Sequence, residues 1–87
     1  MRLKPDFVFS PMGDETVLVP VGEDGEHFRG IVRLNETAAF IVERLQNDTT
    51  EDAITDALCA EYEVSRDEAR KHVAAIVSKL LEIGALA

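Results

Sequence analysis

The 87-residue chain has no tryptophan, one tyrosine, one cysteine and only nine basic side chains against seventeen acidic ones. Each shortage excludes something. The single thiol, Cys59, cannot form an internal disulfide, which fits a reducing compartment, and the expected location is the cytoplasm. Two histidines, His27 and His72, lie far apart in the sequence and from Cys59, so neither a metal-ligand motif nor the spacing of a catalytic triad is present. No catalytic residue, metal or cofactor is expected. A net charge of −8 repels phosphate backbones and anionic membranes, and neither is an expected partner. No apolar run approaches the roughly 18 residues of a membrane span, and "MRLKPDFVFS" lacks the apolar segment of about 7 to 15 residues of a signal peptide.

What is there suits one small domain over residues 1–87, with room for a single core. The first third reads as three short strands: "FVF" at 7 to 9, "TVLVPV" at 16 to 21 and "HFRGIVRL" at 27 to 34, separated by the turn signals "SPMGDE" and "GEDGE". Val17, Val19 and Val21 alternate onto one face of the second strand. Phe28, Val32 and Leu34 do so on the third, leaving Arg29, Ile31 and Arg33 on the other side. Pro20 lacks the N–H of a ladder bond, so the second strand should lie at an edge there or end in a bulge. "GEDG" fits a hairpin loop and lacks the lysine and spacing of a phosphate loop.

From Asn35 the apolar period becomes helical. Asn35 is the expected N-cap, with Glu36 near the positive end of the helix dipole and Ala38, Ile41, Val42 and Leu45 as the apolar stripe. After "QNDTT", Thr49 is the expected cap of a second helix with the stripe Ala53, Ile54, Ala57, Leu58 and Tyr62; its acids Glu51, Asp52, Asp56 and Glu61 have no calcium-loop spacing and read as a solvated face. "SRDE", Ser65 to Glu68, is a capping box that opens a third helix, with Val64 and Ala69 placed as a staple and Gly84 as its left-handed stop. Three antiparallel strands followed by three helices make an α+β fold, and the nearest common architecture is the winged helix-turn-helix.

The third helix is apolar over more than one stripe. Ala69, Val73, Ile76 and Leu80 make the first; Arg66, Arg70, Ala74, Val77 and Leu81 continue round one side, an apolar surface about 180° wide where a core-facing helix needs little more than about 100°. One reading makes Val77 and Leu81 ordinary core residues with the arginines lying over the margin. The other makes this side the wall of a shallow groove, suited to an extended peptide with acidic and apolar side chains. The third strand offers such a peptide an edge to pair with: Gly30 permits close backbone approach, and Ile31 and Arg33 present side chains away from Val32 and Leu34.

The succession "LNETAAFIVERL", "TTEDAITDALCAEYEV" and "AAIVSKLLEIGAL" resembles the PqqD family, the pyrroloquinoline quinone biosynthesis protein D group, over about Phe7 to Leu86. The resemblance implies a non-catalytic recognition element that binds the leader segment of a ribosomally made precursor peptide and presents it to a modifying enzyme, commonly a radical S-adenosylmethionine enzyme. It also implies that the leader adds as a strand along Gly30, Ile31, Val32, Arg33 and Leu34, against Arg66, Arg70, Val73, Ala74 and Val77. "QNDTT" departs from the aspartate-glycine turn frequent in the family.

Two other readings use the same features. A winged-helix regulator would put the third helix in the DNA major groove with Arg66, Arg70 and Lys71 near its start, but the second helix, with four acids and no base, would then lie near the phosphates. A subunit-docking domain would offer the groove to a protein partner or to a second copy in a homodimer.

Overall fold

A computed structural model of the chain describes residues 1–21 and 31–87; the expected "GEDG" loop, Phe28, Arg29 and Gly30 lie outside the described residues. The elements run β1 (Phe7–Met12), β2 (Glu15–Pro20), β3 (Val32–Leu34), α1 (Glu36–Arg44), α2 (Glu51–Glu61) and α3 (Arg66–Glu82). The three strands form one antiparallel sheet in the order β1-β2-β3.

β1 continues through "SPM", where a turn was expected, and reverses over Gly13 and Asp14 alone, with Met12 opposite Glu15. Gly13 sits at φ 61° and Asp14 at negative φ, the pattern of a type II′ hairpin turn. Pro11 is tolerated inside β1 because that strand is an edge of the sheet. β2 is the central strand, and Pro20 is its last residue, opposite Phe7 and past the described pairing of Thr16–Leu18 with β3, so its missing N–H breaks no described ladder bond to β3. The pleat puts Phe9, Leu18 and Val32 in one cross-strand row facing the helices and Ser10, Val17 and Arg33 in the next row facing away. Val17 and Val19 do share a face, but Leu18, with no exposed surface, is the residue of β2 that enters the main core.

Each helix starts on an oxygen that accepts the amide three residues on. Asn35 Oδ1 accepts from the Ala38 amide at 2.8 Å, Thr50 Oγ1 from Ala53 at 3.1 Å and Ser65 Oγ from Glu68 at 3.1 Å. The second cap is therefore Thr50 and not Thr49, whose amide is engaged by the Met1 carbonyl. α2 is also rotated from its expected stripe: Ile54, Thr55 and Leu58 are buried while Ala53 is exposed. A threonine is accepted there because its hydroxyl donates to the Glu51 carbonyl at 2.7 Å, leaving no unmade bond. Val64 and Ala69 both pack into the core beside the Ser65 cap, and α3 ends at Ile83 with Gly84 at φ 74°.

The core joins Phe7 and Leu18 of the sheet to Ile41, Val42 and Leu45 of α1 and its C-cap, Ile54 and Leu58 of α2, and Ala69, Val73, Val77 and Leu80 of α3. The chain ends close it. The Arg2 and Ala87 backbones bond in both directions, the Lys4 amide donates to the Ala85 carbonyl at 2.8 Å, and Leu3 and Ala85 are buried in the same core. The Met1 ammonium bonds Asp48 Oδ1 at 2.7 Å and holds that carboxyl below its ordinary range. Among the described residues no helix is long and apolar enough to cross a membrane.

Candidate functional site

β3 is paired with β2 on one side only among the described residues, so its other side is the open edge of the sheet. The strand alternates as its sequence requires. Val32 and Leu34 are half-buried and pack on the core, Arg33 is exposed beside Val17 on the far face, and Ile31, just before the strand, is 51% exposed. Among the described residues the outer side of this edge is unpaired and its side chains are of mixed character, the requirement for a further strand. Asn35 fixes the end of this edge: its cap bond makes the chain leave the sheet and enter α1 within one residue of Leu34.

The helix residues expected opposite the strand divide into two sets. Val73 has no exposed surface and Val77 is 6% exposed, so both belong to the core; Val32 and Leu34 pack on the same cluster. Arg66, Arg70 and Ala74 lie on the surface, as does Leu81 at 61% exposure. Of the helix residues expected to form a wall, Arg66, Arg70, Ala74 and Leu81 are therefore the accessible ones, and the two valines are core residues.

The arginines are not idle. Arg66 hydrogen-bonds Asp56, and Arg70 lies 3.9 Å from Asp52, so both reach across to the acidic face of α2. The bond that Arg66 donates to Asp56, reinforced by the carboxylate's charge, holds the Arg66 guanidinium more firmly protonated than usual. Of the acids of α2, which read as a solvated face, Asp52 and Asp56 are counter-charges of α3.

A pocket of about 360 Å³ opens where β3 ends, lined by Asp14 and Thr16 from the β1–β2 hairpin, Leu34 and Asn35, Glu36, Ala39, Phe40 and Glu43 of α1, and Tyr62. Phe40 and Tyr62 meet edge to face with ring centroids 5.6 Å apart. Arg44 places its guanidinium 4.6 Å from the Phe40 ring centroid and pairs with Glu43 at 3.1 Å. Burial, then the charges of Glu36 and Glu61, push the Tyr62 phenol above its ordinary pKa of 10.0. Sequence reasoning missed this pocket. Its residues come from three separate stretches, and Phe40 falls outside the apolar stripe of α1, so no spacing signals it. Among the described residues no group of histidine, cysteine and carboxylate side chains is gathered to hold a metal.

The fold has counterparts among solved structures. No curated protein matches the sequence significantly. Among solved structures, the chain aligns with lasso peptide synthetase B1 complexed with the leader peptide at 34% identity and a TM-score of 0.76, covering 97% of this chain and 93% of that one. It shares its fold with TbiB1 in complex with the TbiA(beta) leader peptide, at 24% identity and a TM-score of 0.80, covering 99% of this chain and 94% of that one. The family model described as coenzyme PQQ synthesis protein D (PqqD) matches residues 15–86, from the first residue of β2 to the tail beyond α3, and the chain belongs to that family.

Proposed function

We propose that the chain is a cytoplasmic, non-catalytic adaptor that binds the leader segment of a ribosomally made precursor peptide and presents it to a modifying enzyme. The observation that carries this reading is the open edge of β3, at the border of an antiparallel sheet and fixed by the Asn35 cap. A leader adds there as a fourth strand; main-chain bonds to residues 31–34 supply affinity, and the side chains of Ile31 and Arg33 together with Arg66, Arg70, Ala74 and Leu81 of α3 supply specificity. Val73 and Val77 act from below by fixing the height of that helix face. Gly30, expected in the same edge from the sequence, lies outside the described residues.

Membership of the PqqD family supports the reading, as does the 34% identity to a protein solved with its leader peptide. The enzyme it serves is of the radical S-adenosylmethionine class in the expectation drawn from the family, and of the lasso-peptide type in the one drawn from that relative. A DNA-reading role is disfavoured by the same geometry: the arginines that would meet phosphates are bound to Asp52 and Asp56 of α2.

Titrating the protein with the leader peptide encoded beside its gene tests the proposal. The amides of Ile31 to Leu34 should shift and become protected from exchange, and unchanged amides at those positions would overturn strand addition.

A further inference from the structure

Strand addition along β3 leaves the pocket at the end of that strand unoccupied, and its chemistry is opposite in sign to that of the arginines of α3. Its walls are aromatic and anionic. Phe40 and Tyr62 form one side, and Asp14, Glu36 and Glu43 surround them. Glu43 is paired with Arg44, whereas Asp14 and Glu36 have no ion-pair partner among the described residues.

The chain itself shows what such a wall accepts. Arg44 lays its guanidinium 4.6 Å from the Phe40 centroid while touching the Glu43 carboxylate, which combines a cation–π contact with a charge pair. Tyr62, which meets Phe40 edge to face, also feels these acids: burial first, and then the charges of Glu36 and Glu61, oppose ionisation of its phenol. At about 360 Å³ the pocket is at the small end of ligand sites, the scale of one long side chain rather than a folded partner.

Direction follows from the sheet. Both existing ladders are antiparallel, and a guest that continues the pattern runs opposite to β3. Its paired segment then begins beside Leu34, and the residues before that segment pass the mouth of the pocket, which Leu34 and Asn35 line. We propose that the pocket formed by Asp14, Glu36, Phe40 and Tyr62 receives an arginine or lysine side chain of the bound leader, placed N-terminal to the segment that pairs with β3. This inference rests on the strand-addition reading. It adds a second selection rule: a cation ahead of the paired segment, in a peptide whose later residues face the arginines of α3.

The test has two arms on the full chain. In the first, N-acetylarginine methylamide is titrated against its neutral isostere N-acetylcitrulline methylamide, following the ring resonances of Phe40 and Tyr62. The arginine compound should shift them saturably and the citrulline compound should not. Glu36→Gln should weaken the binding about two- to fivefold, the loss of one exposed charge pair, while Glu82→Gln at the far end of α3 leaves it unchanged. Absence of a selective shift overturns the pocket. In the second arm, the leader encoded beside the gene is compared with a version in which arginines and lysines ahead of the paired segment are replaced by citrulline. Shifted amides at Ile31 to Leu34 with equal affinity for both peptides leave strand addition standing and overturn the pocket assignment. Silent amides there, with the arginine compound still bound, overturn the leader as occupant and make the pocket a cation site for another protein.

Discussion

Phe40 and Tyr62 meet at 85° with their ring centroids 5.6 Å apart, the only aromatic pair among the described residues, and through them the middle of α1 is held against the end of α2. The contact explains two things at once. It orients α1 so that its opposite face, Ala38, Ile41 and Val42, enters the core, and it leaves ring surface facing the carboxylates at the end of β3.

Tyr62 is the only tyrosine and the chain has no tryptophan, so tyrosinate absorbance reports this one site. The native phenol holds its proton above the ordinary 10.0, by burial first and then by Glu36 and Glu61. The native state therefore binds that proton more tightly than the unfolded state. The associated stability is complete below the ordinary tyrosine value and is lost as pH rises through the native one. A spectrophotometric titration should give a midpoint above 10.0 in the native protein and near it in denaturant, with Glu36→Gln moving the native midpoint down. A native midpoint at or below that in denaturant would remove the acidic field on which the pocket argument draws.

The Asn35 cap does more than begin a helix, because it fixes the exit of the edge strand. Asn35→Ala removes the 2.8 Å bond to the Ala38 amide and should cost about 1 kcal/mol in chemical denaturation, whereas Asn35→Gly should cost only a few tenths. Ser65→Ala, which removes the corresponding bond to Glu68, should cost about as much. The two differ in function. Loss of the Asn35 cap should also speed exchange of the amides of Val32 to Leu34, and loss of the Ser65 cap should not.

Val73 and Leu81 share a helix and differ in what surrounds them: the valine has no exposed surface and the leucine is 61% exposed. Val73→Ala should lower stability by about 2 kcal/mol, from lost burial plus the cavity left behind. Leu81→Ser should change it by less than about 0.5 kcal/mol. If the α3 wall contacts the leader, the order of effects on affinity reverses, with Leu81→Ser the more damaging in a peptide titration performed well below the unfolding transition.

Much of this arrangement was legible in the sequence, for identifiable reasons. The caps at Asn35 and Ser65 and the stop at Gly84 are short-range signals that depend on a few neighbouring residues. The strand-to-helix junction at Leu34 and Asn35 followed from a change of apolar period. What was hidden depends on distant partners. The pairing of Arg2 and Lys4 with Ala85 and Ala87 joins the two ends of the chain, and no local period foretells it. On α2, Thr55 is buried where Ala53 was expected, because the threonine can satisfy its hydroxyl within its own helix, a choice that apolar counting does not register. The α3 arginines were legible as a stripe, but their attachment to Asp52 and Asp56 required the packing of α3 on α2.

That attachment separates a structural from a recognition role for Arg66 and Arg70. Both pairs are exposed: the side chains of Arg70 and Asp52 are 59% and 78% accessible, and those of Arg66 and Asp56 are 49% and 64%. Exposed pairs contribute little to stability, because solvent screens them and long side chains lose freedom in forming them. Arg70→Ala should therefore change the unfolding free energy by less than about 0.5 kcal/mol, and Arg66→Ala should leave the fold intact. Leader binding should respond differently. An acidic residue of the leader competes with Asp52 and Asp56 for the same guanidinium groups, so Asp52→Asn should strengthen binding, Arg70→Ala should weaken it, and added salt should reduce the difference between them. If all three proteins bind the leader equally at low salt, the arginines belong to the helix pair alone and the recognition surface is confined to the edge of β3.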